Sequence, residues 1–302
     1  MSIEPNSAAK ADIAAAITRA ESAPDAPETL AMLDAAWATQ KGFSLGLTGP
    51  PGVGKSTLTQ ALVESWAARG LRVAVLAIDP SSKRSGGSLL GDRTRMNFLH
   101  LGSQVFTRSM AAGQRLGGLS DAVFPAMVLL RAVYDRVLIE TVGVGQSETE
   151  IAAVADKAAL CIQPASGDSL QFMKSGIAEI PDVVFVTKAD LGGAARRAYA
   201  DMRGALSLNV TGKSEAPVLL LSAKTGQGID QAIETVEQVL QKTGPEARRK
   251  QLKHHQIQTV QEEFGRRGLA AVRSALHADG EAPFQQLQSA LNAIDIRLAD
   301  ED

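Results

Sequence analysis

The chain has 302 residues, 45% of them hydrophobic and 21% charged, and its formal net charge is -2. That balance suits one large domain with appendages and excludes the strongly basic surface that would make nucleic acid the default partner. No apolar run approaches membrane length, no basic stretch leads into an apolar signal segment, and the lone Cys161 permits no intrachain disulfide; a cytoplasmic chain with no membrane partner is expected.

Residues 1–40 predict two short helices. Ile13, Ile17 and Ala20 recur on one face of the first, and Leu30, Leu33 and Trp37 on one face of the second, with Pro24 and Pro27 between them. From residue 43 the pattern becomes short apolar runs separated by amphipathic segments. Strands are expected at 44–48, 72–78, 104–108, 135–140, 158–163, 183–187 and 217–222, with helices at 55–69, 119–132, 192–206 and 228–242. Such alternation predicts an α/β fold with a mostly parallel sheet covered on both faces and functional loops at the strand carboxyl ends. After Gly244-Pro245 two helical segments follow. In the second, Phe284, Leu287, Leu291, Ile294 and Leu298 make a stripe that needs cover, from its own domain or from another subunit. The expected organisation is an N-terminal helical segment over 1–40, a nucleotide-binding domain over 41–244 and a C-terminal helical docking or dimerisation segment over 245–302. Residues 1–40 are acid-rich, whereas Arg248, Arg249, Lys250 and Lys253 crowd the start of the last segment; both read first as solvated faces. So do His254 and His255, which lie in that basic stretch.

Residues 49–57 read GPPGVGKST, directly after the apolar run FSLGLT. Gly49 through Ser56 fit G-x-x-x-x-G-K-S, the P-loop of nucleoside triphosphatases, between a strand and a helix. In that arrangement Gly49, Pro50, Pro51, Gly52, Val53, Gly54 and Thr57 shape a turn of inward N–H groups at a helix start. Lys55 reaches the β- and γ-phosphates, and Ser56 offers a hydroxyl to Mg²⁺. Asp79 and Glu140 each close a strand and are candidate acids of the metal site. Asp79 equally suits the capping of a turn. Three residues past Glu140, Gly143 could present its N–H to the terminal phosphate. The stretch SGGSLLGDRTRM, residues 85–96, supplies Asp92, Arg93 and Arg95, with Asp92 a metal candidate and Arg95 a catalytic one; a solvated surface loop is the plain alternative.

Two later motifs address the base. TKAD (187–190) follows one apolar run and SAK (222–224) follows another. Asp190 can accept both hydrogens on guanine N1 and N2, which adenine lacks, so mismatch leaves the acid facing an acceptor edge. Thr187 begins the motif where Asn is commoner, and a hydroxyl replaces only part of an amide's hydrogen bonding. Lys188 would lay its stem across the base; Ser222, Ala223 and Lys224 form the second loop, with the Ala223 N–H available to O6.

GLTGPPGVGKSTL, LAIDPSS, GGSLLGDRTRM, LIETVGVGQSE, GDSLQFMKSGIAEIPD and TKAD together resemble the methylmalonyl-CoA mutase-associated GTPases. This is the methylmalonic aciduria type A family, a SIMIBI-class P-loop group also described as lysine/arginine/ornithine transport-system kinases. The resemblance is dense over residues 40–225. It implies that Asp92 and Arg95 belong to a first switch, residues 141–148 to a second, and residues 166–176, with Asp168 and Lys174, to a third. It further implies a slow GTPase (GTP and water to GDP and phosphate) that uses Mg²⁺ and is accelerated by its partner. Such a chaperone gates adenosylcobalamin loading onto a cobalamin-dependent acyl-CoA mutase and protects or reactivates it. A homodimer, possible contact with a cobalamin adenosyltransferase, and no cobalamin bound by this chain itself also follow from the resemblance. Departures are the absence of Trp after the nucleotide-binding core and PASGD in place of GAGD. Gln146 lies three residues beyond Gly143, so the residue that positions water stays open. The alternatives are a nickel-insertion-type metallochaperone GTPase, a GTP-using transport-protein kinase, and a non-catalytic assembly protein.

Overall fold

Each of the seven apolar runs forms a strand, because consecutive Val, Ile, Leu and Phe need apolar cover on both faces. The computed structural model describes residues 7–79, 98–112, 119–141, 147–164, 181–207, 216–272 and 281–299. The strands are β1 (Phe43–Thr48), β2 (Val73–Asp79), β3 (Val105–Ala111), β4 (Arg136–Glu140), β5 (Lys157–Ile162), β6 (Val183–Val186) and β7 (Val218–Leu220). They form one sheet in the order β3-β2-β4-β1-β5-β6-β7, and all paired neighbours run parallel. β1 is central, and its register sets Leu47 opposite Glu140, so that acid emerges beside the end of β1.

Successive residues of one strand feed opposite cores. Ala159, Cys161, Val183 and Phe185 pack with α3 (Lys55–Ala68). Leu160, Ile162, Val184 and Val186 pack with α6 (Gly193–Ser207) on the other face. The period of two in β5 and β6 thus divides the apolar run between two helical layers. α5 (Ser147–Val154) covers β1 on the α6 side, where a side chain at Gly46 would collide with Ile151. α7 (Ile229–Leu240) joins the α3 layer through Ile229, Ala232, Ile233, Val236 and Leu240. These elements belong to one compact unit, Phe43–Ser120 with Tyr134–Thr243.

At the strand amino ends of that unit, Glu237 of α7 gathers a polar network. It accepts the indole N–H of the fully buried Trp66 at 3.0 Å and the Nε–H of Arg136 at 2.8 Å, and it forms an ion pair with the Arg136 guanidinium. Arg136 also lies over the Phe43 ring, 5.6 Å from its centroid. Truncating one member leaves a largely desolvated charge and an indole N–H without their acceptor. Glu237→Ala is expected to cost about 2–3 kcal/mol in urea unfolding, and Glu237→Gln, which keeps an acceptor for Trp66, about half of that.

A second unit comprises Met1–Gly42, Asp121–Val133 and Gly244–Asp302. Its helices are α1 (Ser7–Ser22), α2 (Pro27–Thr39), α4 (Val123–Val133), α8 (Pro245–Val272, kinked at Gly265, φ 63°) and α9 (Pro283–Ala299). α4 is mostly apolar and buried on nearly every side, Arg131 included, and packs against α1 and α2. The α9 stripe is covered from within: Leu287, Leu291 and Ile294 are buried with Val260 of α8, and Ile257 and Phe264 pack against them. Asp34 of α2 caps α9, accepting the N–H groups of Phe284 and Gln285 at 2.8 and 3.3 Å, which answers two of the donors that a helix start leaves over.

The solvated-face reading of His255 is corrected here. Its ring stacks on Phe124 at 4.7 Å between centroids and lies 6.2 Å from Phe284, because its position faces the aromatic seam of α4 and α9. His254 is exposed. Burial, and secondarily His254, pushes the His255 pKa down to about 4. A folded value below the unfolded one gives stability that is complete above the unfolded pKa and is lost as pH falls through the window from about 6.5 to about 4. Because the residue keeps partial solvent contact, the expected loss across that window is about 1–2 kcal/mol rather than the roughly 3 kcal/mol of the full shift. Urea midpoints at pH 7 and pH 4.5 should record it, and His255→Phe should remove this part of the pH dependence.

Candidate functional site: a phosphate loop and a base-reading edge

Between the end of β1 and the start of α3, the chain turns through Gly49–Gly54. Gly49 adopts φ 138°, and a side chain there would run into the Cys161 carbonyl of β5, so the loop can lie down on the neighbouring strand only without a Cβ. Gly54, at φ 100°, reverses the backbone into α3. Val53 is fully buried and anchors the turn, while Pro51, Gly52 and Thr57 are exposed. Lys55 is buried at 6% exposure; its ammonium donates to the carbonyls of Gly49 at 2.6 Å and Pro50 at 3.1 Å. The positive charge therefore sits inside the loop, and the start of α3 adds the positive end of a helix dipole, so both favour an anion there.

Glu140 completes this corner. Its Oε1 accepts the Ser56 hydroxyl at 2.6 Å and its Oε2 the Thr59 hydroxyl at 2.8 Å. Ser56 and Thr59 are three residues apart on α3 and share a face, a spacing visible in KSTLT that lies outside the G-x-x-x-x-G-K-S pattern. The Thr141 N–H donates to the Leu47 carbonyl at 3.1 Å, continuing the ladder that fixes the carboxylate's position. Cys161 lies buried beneath the loop, its thiol pushed up to about 12 by burial, with Lys55 pulling the other way. It is inert packing, as a single buried cysteine should be.

This donor set fits the groups that the motif implies. Ser56 and Glu140 present adjacent oxygens of the hard kind that Mg²⁺ prefers. At Gly52 and Gly54 nothing lies within 4 Å of where a side chain would begin, which leaves the backbone accessible to a close-approaching phosphate chain.

The segments expected to read the base meet at the ends of β6 and β7. The Ala189 N–H donates to the Leu221 carbonyl at 3.0 Å, and the Ser222 hydroxyl donates to Asp190 Oδ1 at 2.6 Å. That hydroxyl bond, with lesser help from Lys224 and Lys188, holds the exposed Asp190 carboxyl below its usual range. Ser222 in turn accepts the Thr225 N–H at 3.3 Å, closing the SAK turn around Ala223 and Lys224. Thr187 is buried, its hydroxyl 2.8 Å from the Val53 carbonyl and 3.0 Å from that of Ile162. The threonine that departs from the commoner motif thus still ties the base loop to the phosphate loop. Lys188, at φ 55°, places its ammonium 2.9 Å from the Gly52 carbonyl and 2.5 Å from Gln163 Oε1. Gln163 is a contact that no motif announces.

Asp79 closes β2, the strand beside β4, as expected; its side chain lies outside the described residues. Asp92, Arg93, Arg95, Gly143, Gln146, Asp168 and Lys174 also lie outside them.

A parallel sheet with a lysine-bearing phosphate loop on its central strand, and a carboxylate-bearing loop pair at the neighbouring strand ends, defines a P-loop nucleoside triphosphatase of the guanine-reading type. Residues 13–272 match the family described as "Methylmalonyl Co-A mutase-associated GTPase MeaB", and the chain belongs to that family. Among relatives, it is 43% identical over 196 residues to a putative GTPase of Caulobacter vibrioides, covering 64% of this chain and 60% of that one. It is 43% identical over 202 residues to the mitochondrial methylmalonic aciduria type A homolog of Mus musculus, covering 65% and 48%. With a putative GTPase of Pyrococcus abyssi the identity is 39% over 232 residues, covering 74% and 71%. The matches therefore span about three fifths of the Caulobacter relative and half of the mouse one. The crystal structure of an LAO/AO transport system kinase superposes with a TM-score of 0.61 at 27% identity, covering 95% of this chain and 93% of that one. Among the described residues no helix is long and apolar enough to cross a membrane.

Proposed function

We propose that the chain is a GTP-hydrolysing chaperone for a cobalamin-dependent acyl-CoA mutase, gating adenosylcobalamin loading and protecting or reactivating that enzyme in the cytoplasm. The observation that carries the reading is the joining of two specificities on one sheet. Lys55, Ser56 and Glu140 converge at the phosphate loop, and Asp190 with Ser222 stands at the base-reading edge. Family membership supplies the mutase as partner class.

In the reaction, water attacks the γ-phosphorus, the bond to the bridging oxygen breaks, and GDP and phosphate leave. Lys55 and the loop N–H groups offset charge that builds on the transferring group and the leaving oxygen. Glu140 holds the hydroxyls of Ser56 and Thr59 in place, so the one that would meet the metal is positioned before substrate arrives. Bound Mg²⁺, held by Ser56 with support from Glu140 and Asp79, would supply Lewis-acid stabilisation of the phosphate oxygens.

The test is GTP hydrolysis by the purified chain, alone and with candidate mutases. Turnover should be slow alone and rise at least about tenfold with the cognate partner, a coupling in the usual range for linked sites. Equal rates under both conditions would remove the chaperone reading. The likeness to an LAO/AO transport system kinase keeps a second reading in play; following the terminal phosphate to water or onto a protein separates the two. Homodimer formation and contact with an adenosyltransferase belong to the same proposal, and size-exclusion chromatography with each component tests them.

A further inference from the structure

Thr187 has one hydroxyl proton but faces two carbonyls, Val53 at 2.8 Å and Ile162 at 3.0 Å. One proton cannot serve both fully, whereas an asparagine amide in that place would bring two donors and an acceptor. The tie between base loop and phosphate loop is therefore one strong hydrogen bond short. The neighbouring residue is also under strain. Lys188 sits at φ 55°, a left-handed conformation that a side-chain-bearing residue adopts only when its surroundings enforce it.

Backbone bonds from Thr187 to Ile162 and from Ala189 to Leu221 hold that conformation, and the Lys188 side chain is held by Gln163. Gln163 directly follows β5, whose Cys161 carbonyl underlies Gly49 and whose Ile162 carbonyl receives the Thr187 N–H at 2.9 Å. Its side chain starts from a fixed point and is partly buried. Its amide oxygen takes the Lys188 ammonium at 2.5 Å, and the same ammonium donates to the Gly52 carbonyl at 2.9 Å. Lys188, whose stem the guanine reading lays across the base, is thus held from the sheet and from the phosphate loop at once. A charge-assisted hydrogen bond is roughly twice as strong as a neutral one, so this contact can replace what the hydroxyl at position 187 lacks.

We propose that Gln163 is a positioning residue for guanine-nucleotide affinity, acting through Lys188 and compensating for the threonine at 187. The proposal rests on the guanine reading above. The test measures fluorescent GDP and ADP analogues against the full chain and four variants (Gln163→Leu, Gln163→Glu, Thr187→Asn and the Gln163→Leu/Thr187→Asn pair), with thermal melting of each. Gln163→Leu keeps size but removes the acceptor, and GDP dissociation constant and off-rate should rise about tenfold, equivalent to about 1.4 kcal/mol. Gln163→Glu restores an acceptor and should bring affinity back to within about twofold of the parent, a rescue that side-chain packing alone would not give. Thr187→Asn should tighten GDP binding in the Gln163→Leu background by more than it does in the parent chain, recovering most of the loss.

Unchanged GDP affinity in a folded Gln163→Leu protein overturns the proposal and leaves the guanine reading standing. Equal losses in the Leu and Glu variants, or strict additivity of the two sites, overturn it too. A parent chain that takes ADP as readily as GDP overturns both. If Gln163→Leu melts early, the off-rate of the Glu variant and the Thr187→Asn contrast at low temperature still decide.

Discussion

Replacing Asp190 with alanine is expected to weaken guanine-nucleotide binding by about a hundred- to a thousandfold while leaving adenine-nucleotide binding nearly unchanged. The carboxylate is exposed, fixed through Oδ1 by the Ser222 hydroxyl at 2.6 Å, and kept below the usual carboxyl range mainly by that bond. It is therefore fully ionised at neutral pH and offers acceptors only. Guanine presents two donors on the matching edge; adenine presents an acceptor there, so the same carboxylate attracts one base and repels the other. Alanine removes both effects, but the repulsion is the smaller because the carboxylate is exposed and screened by water, so the preference collapses from the guanine side and adenine binding changes little. Two companions sharpen the result. Asp190→Asn exchanges one acceptor for a donor and should favour a xanthine base, whose second carbonyl replaces the amino group. Ser222→Ala keeps the charge but releases the side chain, and should cost only about three- to tenfold. Because the Asp190 pKa is lowered, guanine affinity should stay flat as pH falls, until it drops below the usual carboxylate value of about 4. Competition titrations with fluorescent GDP over that range read all of these. An Asp190→Ala chain that keeps its preference for GDP over ADP would sink the base assignment.

What the sequence makes legible follows from how local each signal is. β1, β4, β5 and β6 are runs of apolar residues that can be satisfied only with cover on both faces, so their existence is written in four to six consecutive residues. GPPGVGKS is equally local: the glycines, the lysine and the helix start act within one turn of chain. Contacts that cross the sheet are another matter. Thr59 meets Glu140 across 81 residues and Thr187 meets Val53 across 134, and no periodicity encodes either partner. The same holds for α4, which lies between β3 and β4 in sequence yet groups with the terminal helices. A helix that is apolar nearly all round announces burial without saying against what. His255 shows the opposite error. Its basic neighbours suggest solvent, but with helical spacing it lies on the same side as Gln251, Leu252 and Gln256, which are buried. Reading the stripe rather than the charge run would have placed it among the aromatics.

The second large effect is expected at Glu140. Glu140→Gln keeps the shape of the side chain but removes its charge, and GTP hydrolysis should fall about a hundredfold, with the half-saturating Mg²⁺ concentration moving up. The geometry separates two roles. As an acceptor, Glu140 holds the hydroxyls of Ser56 and Thr59 at 2.6 and 2.8 Å; a glutamine oxygen can keep one of these and offers N–H donors where the other hydroxyl donates now. As a buried anion at 8% exposure, it offsets positive charge at a corner where Lys55 already contributes one cation. Losing the anion weakens any further cation there, in an environment where solvent cannot make up the difference. Thr59→Val isolates the first role, since it removes one hydroxyl and leaves the charge and Ser56 untouched; it should slow hydrolysis only about three- to fivefold. If Thr59→Val and Glu140→Gln prove equally damaging, Glu140 is chiefly a hydrogen-bond anchor for α3 and its charge is incidental. If Glu140→Gln is far worse and added Mg²⁺ recovers part of the loss, the carboxylate is the electrostatic half of the site and Ser56 its geometric half. GTPase rates across a Mg²⁺ titration, with GDP affinity in excess chelator as the reference for intact folding, separate these outcomes.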